Sequence, residues 1–576
     1  MAKLVSQLWH ILDTRAKRRI LLLLFFFSIS GFLEIVVMSL LLPLISFISQ
    51  MNDIQNSPWY ERVNRISIPF FQHHALLTLS LVLLVLYLTK NIFLLFIIDR
   101  QTRWVSEERN SLSKRFMKAY IHAPYMIHLE RETHRLSRTI ELEVTNIFDG
   151  ILWPILSLIN EALTVIMIFA LLLIVSGTST IIVALVLLGF LFVYYFYVNR
   201  KLANSGARAQ REGFLIYKWI DQTFLGIKEV KIFGSQKYFF KRYSAAVDDH
   251  SDSVRKMRVL GELPRPLMEI IMIGGALFIS LIIFIRSGGN ESPIPILGLF
   301  IAAAYRIMPS ISRFISCVNQ VSFFQPSIEF LQRELDQIKI SYDRPKEDHL
   351  KLKFDSEIEI QNISFRYKNT NRFILKNLSH TIKKNHAVAF FGPSGSGKST
   401  MVNLLLGLLE PSEGKILSAG LNIFDDLNSW RKNIGYVSQT VFVLDGTVRE
   451  NIAFGIECGE HDDKQIWSAL AGARLYDYVK SLPEGLNSLV GDKGIRFSGG
   501  QRQRLGLARA LYFDPKILIL DEVTAGLDTK TEKEILSELK ALVGHKTLII
   551  VSHKEEVIHS CSEKIEFHLE HNEENL

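Results

Sequence analysis

Six apolar stretches in the first 320 residues limit the fold of this 576-residue chain more than anything else in it. They cover residues 20–49, 75–98, 151–176, 180–198, 266–285 and 293–317. Each is long enough to cross a ~30 Å hydrocarbon core, which takes about 20 helical residues. No water is available there to bond an open backbone, so every crossing segment must satisfy its own N–H and C=O groups as a helix. Pro293, Pro295 and Pro309 bound or interrupt the last stretch. The expectation is a helical membrane domain of six spans.

Charge sets the orientation of these spans. Lys17, Arg18 and Arg19 precede the first, and basic residues dominate residues 100–146 and 199–265. The short links at 176–180 and 286–292 carry no net charge, since Arg286 offsets Glu291. Cytoplasmic loops carry the excess of Lys and Arg, so both termini and both long loops are expected in the cytosol. The formal charge of +8 is therefore a topology signal and not a nucleic-acid footprint. Within the long loops, residues 102–120 and 198–224 have recurring apolar positions among mixed charge, the pattern of helical extensions of the spans. Short apolar and aromatic segments follow near 123–129 and 224–233, read as elements that dock on the second domain. The aromatic and charged segment 57–71 has the composition of either an interfacial helix or a surface loop. The basic start runs into an apolar stretch too long for a cleaved leader. Three cysteines, Cys317, Cys458 and Cys561, have no metal-ligand spacing and make no disulfide framework, which fits a reducing cytosolic face.

Charged residues inside the apolar stretches mark a second site. Glu34, Lys90, Glu161, Glu269, Arg306 and Arg313 all lie there, with Arg265 at the start of the fifth. An arginine at the bilayer centre costs ~2.5–3.5 kcal/mol on insertion scales, so such residues face a partner or a wet cavity. Two readings stand at this point. The basic residues line a path for an anionic, phosphate-bearing cargo, which arginine grips with its planar fork. Alternatively they pair with Glu34, Glu161 or Glu269 as structural ion pairs.

The apolar half gives way to an amphipathic pattern that predicts a helix over 318–336, where Pro326 would introduce a kink, and then to a polar linker. The expected organisation is a membrane domain over residues 1–336, a linker over 337–357 and a second domain over 358–576. That second domain opens with the α/β pattern of a nucleotide-binding fold. The run Gly392-Pro-Ser-Gly-Ser-Gly-Lys-Ser-Thr400 sits between the apolar stretch 387–391 and the helical stretch 401–409. It matches the phosphate loop G-x-x-x-x-G-K-[ST]. Gly392, Gly395 and Gly397 allow backbone N–H groups to turn toward phosphates, with Ser394 and Thr400 alongside. Lys398 is placed to reach the β- and γ-phosphates of ATP, and Ser399 to ligate Mg²⁺. The following helix adds its positive end to the same anion site.

Later residues extend this frame. The apolar strand 516–520 ends in Asp521 and Glu522, a Mg²⁺ carboxylate and a base for the attacking water. Gln439 follows the strand 434–437 and serves Mg²⁺ and catalysis; His553 follows the strand 547–551, where it reaches the γ-phosphate. Tyr367, upstream of the phosphate loop, offers a face for adenine. Finally Ser498-Gly-Gly-Gln-Arg-Gln-Arg504 opens a basic helix with a glycine pair, a second phosphate surface that includes Ser498, Gly500 and Gln501.

These motifs together, with FSGGQRQR foremost, resemble the ATP-binding-cassette family, and the whole chain looks like a half-transporter of the ABC exporter type. The resemblance implies ATP held between the phosphate loop of one chain and the signature of another, hence a homodimer with two composite sites. It also implies that the second long loop reaches the partner's cassette. Two positions depart from the family pattern: Ala525-Gly-Leu-Asp528 stands where S-A-L-D is usual, and Phe497 stands where leucine is usual. Six spans exclude a soluble DNA-repair ATPase, and an intact Glu522 argues against a channel.

Within exporters, Ala304-Tyr-Arg-Ile-Met-Pro-Ser310 followed by Arg313 is similar to the last span of PglK-type and Wzk-type flippases. Glu34, Lys90 (arginine in that group), Arg265 in a Leu-Pro-Arg context and the aromatic segment after the first span match as well. This resemblance implies a lipid-linked (polyprenyl-diphosphate) oligosaccharide, flipped from the cytoplasmic to the outer leaflet of a bacterial inner membrane. Lys90, Arg265, Arg306 and Arg313 would engage its diphosphate. The alternative is a lipid A, multidrug or peptide exporter.

Overall fold

The computed structural model describes residues 14–49, 75–130, 133–175, 177–271, 294–342, 356–367, 372–457, 459–460, 462–491, 494–523 and 529–568, with isolated positions at 273, 274, 277 and 370. The expected external segment 57–71, most of the fifth span and the Ala525–Asp528 departure lie outside the described residues. By internal contacts the chain forms two compact units. One comprises Met1–Ala123 with His128–Tyr342, and the other Pro124–Ile127 with Asp343–Leu576.

The first unit is built from long helices. With shorter ones between them, the helices up to residue 342 are α1 (Thr14–Ser49), α2 (Ala75–Ile121), α3 (Tyr125–Glu130, whose first residues belong to the second unit), α4 (Thr133–Arg138), α5 (Val144–Ile147), α6 (Trp153–Val175), α7 (Gly177–Leu225), α8 (Ile227–Ile232), α9 (Gln236–Glu262) and α10 (Ile294–Tyr342). At 47, 49 and 49 residues, α2, α7 and α10 each extend for ~70 Å, more than twice a hydrocarbon core. The charged stretches 102–120 and 198–224 are therefore continuations of membrane helices, as their periodicity indicated. Among the described residues four helices are long and apolar enough to cross a bilayer, Ala16–Leu41, Leu77–His122, Arg135–Ile174 and Ala184–Leu225. Of the fifth expected span, residues 266–271 are helical; the sixth falls on α10, which runs through Pro309 and Pro326 without a break and ends only at Tyr342, inside the polar stretch 337–357.

Two apolar clusters hold these helices. One joins α1, α2, α5, α6 and the far part of α10 around Phe27, Phe116, Ile147 and Leu331. The other joins α6, α7, the helical residues 264–271 and α10 around Ile168, Leu202, Met268 and Ile311. Between α4 and α6 the chain twice widens into π-helix, at Thr139–Glu143 and Phe148–Leu152. The first π-turn carries a buried ion pair, Arg138 to Glu143 at 3.1 Å. Gln210 of α7 donates to Glu143 at 3.0 Å and accepts from Arg138 through its backbone carbonyl. Phe214 lies under the same guanidinium at 3.9 Å. A pair this deep carries a desolvation cost that these contacts offset only in part, since Arg138 Nε and Glu143 Oε1 make no hydrogen bond.

In the second unit, a four-stranded antiparallel sheet has the order β2-β1-β4-β5, and a five-stranded parallel sheet the order β6-β7-β8-β3-β9. The former uses β1 (Ile358–Phe365), β2 (Leu375–Ile382), β4 (Glu413–Ser418) and β5 (Leu421–Asn422); the latter β3 (Ala387–Phe391), β6 (Ile434–Val437), β7 (Ile517–Asp521), β8 (Thr547–Val551) and β9 (Glu563–Glu566). The inner parallel strands β3, β7 and β8 are nearly continuous apolar runs, as expected where both faces are covered, whereas the edge strand β9 reads Glu-Lys-Ile-Glu; β8 is buried along its whole length. Met126, in the segment assigned to this unit, packs against its apolar cluster.

Backbone contact between α7 and α10 depends on one glycine. A Cβ at Gly206 would sit 1.8 Å from the Phe323 carbonyl oxygen, which cannot move aside as a side chain could. Gly206→Ala should destabilise the protein by ~1–3 kcal/mol through overpacking. A thermal melt in detergent checks this against Gly189→Ala, whose added Cβ meets nothing within 4 Å and should leave the midpoint unchanged.

Candidate functional site

The phosphate loop connects β3 to α11 (Lys398–Leu405). Gly392, Gly395 and Gly397 have φ of 141°, 82° and 96°, a region that other residues rarely adopt. Space requires glycine too, since a Cβ at Gly392 would lie 2.2 Å from the Phe567 carbonyl oxygen. The Lys398 ammonium donates to the carbonyls of Gly392 and Pro393 at 2.8 Å each, so the side chain folds back across the loop. Ser399 is exposed on the first helical turn, Ser394 on the loop, and Thr400 is buried beneath them. The buried Ser396 hydroxyl has no hydrogen-bond partner here, an orphan polar group inside a cradle of turned-in amides. This donor set fits the phosphates of a nucleotide and, through Ser399 and Asp521, a hard cation such as Mg²⁺.

Asp521 ends β7, and Glu522 follows with φ of 51°, a left-handed conformation that costs a non-glycine residue ~1 kcal/mol or more. Its N–H is tied to the Val551 carbonyl at 3.1 Å. The strained backbone turns the carboxylate toward two side chains from neighbouring strand ends. Gln439 donates to Glu522 Oε2 at 2.6 Å, and His553 Nε2 lies 3.3 Å from Oε1. Three residues far apart in sequence thus meet at the carboxyl ends of β6, β7 and β8, where open α/β sheets bind ligands. Burial raises the Asp521 carboxyl above its ordinary range, the adjacent Glu522 adds to this, and Lys398 opposes it. Burial lowers the Lys398 ammonium, against the pull of Glu522 and Asp521.

The signature opens α12 (Gly499–Tyr512), with Ser498 as its N-cap. Ser498 Oγ accepts from the Gln501 N–H at 3.2 Å, and the Gln501 side chain accepts from the Ser498 N–H at 2.7 Å. Gln501, read from sequence with the nucleotide set, here closes a capping box. Gly500 stays beside it in the first turn. Arg502 donates to the Phe497 carbonyl at 2.8 Å and fixes the approach to the helix. The Phe497 ring is buried against Tyr478, so the departure from leucine is absorbed in packing. Tyr367 is half-buried with its ring edge-on to Phe365 at 5.1 Å.

The membrane charges divide differently from the expectation of one basic lining. Lys90 is 5 % exposed and donates to Glu34 at 2.9 Å, so α1 and α2 share a buried ion pair. Arg313 reaches Glu161 through two nitrogens at 2.5 and 3.2 Å, yet its side chain remains 51 % exposed. Arg265 is exposed, and Arg306 lies on α10. The reading as ion pairs accounts for Lys90, while Arg313 is both paired and accessible. Neither the Arg138–Glu143 pair nor Glu334 carried a signal in the residues, since the first two sit among many charges on the first long loop and Glu334 among the charges of the stretch 318–336.

Comparison with known proteins accords with this geometry. Residues 20–304 match the family model for the ABC transporter transmembrane region and residues 375–525 that for the ABC transporter. An ATP-dependent lipid A-core flippase from Cupriavidus metallidurans is 31% identical over 443 residues, 75% of this chain and 73% of that one. The chain belongs to the ABC transporter family. A protein of the same description from Ralstonia nicotianae is 28% identical over 448 residues, covering 77% of this chain and 75% of that one. A bacterial Atm1-family ABC exporter solved with ATP bound superposes with a TM-score of 0.76 at 21% identity, covering 97% of this chain and 95% of that one. The fold is that of an ABC exporter, a helical transmembrane domain with a nucleotide-binding domain, and ATP hydrolysis is coupled to transport. The finer likeness to PglK-type flippases is not what these relatives carry; their names point to lipid A-core.

The Asp521 carboxyl makes a signed prediction. A group whose folded pKa is raised weakens the fold above that pKa and ceases to do so once protonated. Asp521→Asn should raise the melting midpoint of nucleotide-free protein near neutral pH, with the gain shrinking as the pH falls through the raised pKa toward the ordinary carboxylate range, and should lower Mg²⁺-dependent ATP turnover. A pH series of thermal melts with a phosphate-release assay checks both halves.

Proposed function

We propose that two copies of this chain form an ATP-driven flippase for an anionic, phosphate-bearing glycolipid of the lipid A-core kind. The membrane would be the bacterial inner membrane, with cargo moving from the cytoplasmic to the outer leaflet and both termini and the cassette in the cytosol. The observation that carries the cargo class is the accessible Arg313 guanidinium, held in an apolar stretch by Glu161. A planar fork in low dielectric suits a sugar-linked phosphate, for which it can exchange its carboxylate partner. The curated relatives at 28% and 31% identity, named lipid A-core flippases, support the same class. The lipid-linked oligosaccharide stays as a second reading, favoured by the 304–310 segment with Arg313. It offers the same diphosphate chemistry on a polyprenyl tail.

Each chain has one phosphate loop and one signature, so two complete sites need two chains. In this reading Gly392, Ser394, Gly395, Gly397 and Thr400 shape the cradle, and Lys398 exchanges its loop carbonyls for phosphate oxygens. Tyr367 faces adenine. Ser498 and Gly500 of the other chain present their helix start to the same nucleotide, with Gln501 keeping that start in place. Mg²⁺, when bound by Ser399, Gln439 and Asp521, neutralises phosphate charge. Glu522 then accepts a proton from the attacking water, while Gln439 and His553 hold its carboxylate in line. ATP joins the two cassettes and hydrolysis releases them, which shifts the membrane halves between inward- and outward-facing states. Arg265 and Arg306 extend the basic path, and Lys90 keeps α1 and α2 together through Glu34.

Glu522→Gln should retain ATP binding and lower turnover by ~10²-fold or more, since a positioned base contributes on that scale. Normal turnover in that variant would remove Glu522 from its role. For the cargo, fluorescent lipid A, a fluorescent polyprenyl-diphosphate glycan and a cationic dye are compared in proteoliposomes. Lipid A should move with ATP; movement of the glycan alone selects the second reading, and movement of the dye alone rejects both. Arg313→Ala should raise the lipid concentration needed to stimulate ATPase by about tenfold or more, the loss of a charged hydrogen bond, with basal turnover kept.

A further inference from the structure

A buried carboxylate that belongs to neither the nucleotide residues nor the cargo residues named above joins three separate pieces of chain. Glu334 lies on α10, 3 % exposed and well past the apolar part of that helix. The Tyr120 hydroxyl donates to its Oε2 at 3.2 Å, and Arg135 donates to its Oε1 at 3.3 Å. Tyr120 is the next-to-last residue of α2 and Arg135 belongs to α4, so these two residues stand on opposite limbs of the loop that bears α3. His128 of α3 donates through Nε2 to the Tyr120 carbonyl at 2.9 Å, which ties the short helix to the same point. Arg135 also lies 5.3 Å from the centre of the Phe330 ring, one turn back on α10. Phe330 in turn packs at 5.2 Å against Phe214 of α7.

Burying a carboxylate costs several kcal/mol unless it is paired, and a leucine would fill this helix face more cheaply. The charge is explained by what it holds. We propose that Glu334 is a positioning residue for transport: it locks both limbs of the α3 loop to α10, so that displacement of the loop and displacement of the helix are one motion. Catalysis does not require it, and the cargo does not touch it. Its role is to make α2, α4 and α10 move together. Coupling of this kind needs an element that both ends bias, and a shared buried anchor supplies it.

The test uses full-length protein in nanodiscs and no cargo, so it stands apart from the choice of lipid. Amide hydrogen exchange is followed by mass spectrometry with and without trapping by ATP and vanadate. In the unaltered protein, trapping should change exchange in residues 14–49 and 133–175. In Glu334→Gln and in the milder Tyr120→Phe, that nucleotide-dependent change should fall about twofold or more, while ATP turnover stays within about twofold and the melting midpoint is kept. Adding Tyr120→Phe and Arg135→Gln to Glu334→Gln should cause no further loss, because all three act through one anchor. An undiminished response in both single variants overturns the proposal. So do additive losses, a parallel fall in response, turnover and melting midpoint, or no response in the unaltered protein. Should Glu334→Gln fail to fold, Tyr120→Phe decides, since it removes one hydroxyl and little volume.

Discussion

Backbone hydrogen bonding inside hydrocarbon is the constraint from which the membrane unit follows. A helix that must close every N–H···O=C bond within itself cannot stop in mid-layer, and nothing obliges it to stop at the surface. Here α2, α7 and α10 continue for about as far again beyond the apolar stretch, with charge replacing apolar residues along an unbroken backbone ladder. A rotation or tilt imposed on either end of such a helix is carried along its length. The interior of the extended region is where the chain departs from regularity, in two π-turns and in buried charges such as Glu143 and Glu334. Those features belong to the part of the unit that has water nearby, where polar groups can be satisfied by side chains as well as by the helix.

The cassette shows a different balance. Its parallel sheet supplies apolar stability, and the chemistry at the strand ends works against it. Glu522 sits in a left-handed conformation, Asp521 is a buried carboxylate beside another, and Lys398 is a buried cation. Lys398 and the two acids partly relieve one another, while the acids repel each other. Such strain is tolerable because the surrounding strands over-determine the backbone, and it leaves the site with charges ready for a highly charged ligand.

Much of this was legible in the residues. The phosphate loop, the acids after β7 and the glutamine and histidine after β6 and β8 each follow an apolar strand, and parallel strands must end near one another. Their convergence on Glu522 could therefore be expected from order alone. The extended helices were legible from periodicity, although their continuity through Pro309 and Pro326 was not, because tertiary packing can hold a proline that local preference rejects. Pairing was the least legible. Lys90 and Arg313 are both cations in apolar stretches, yet one is enclosed with Glu34 and the other half open beside Glu161, and no spacing distinguishes them. Tyr120, Arg135 and Glu334 come together only because three helices cross, a matter of long-range packing. Gln501 shows the reverse case, where a residue belonging to a recognisable motif spends its side chain on the local cap.

The missing side chain at Gly206 has a consequence for how the molecule can move. With α7 resting directly on the α10 backbone at Phe323, there is no cushion of rotatable atoms between the two helices at that level. Sliding there would drive main chain into main chain, so this pair behaves as a single stiff beam. A shift of the two helices at this level therefore cannot be taken up by side-chain repacking, since no side chain of residue 206 lies between them.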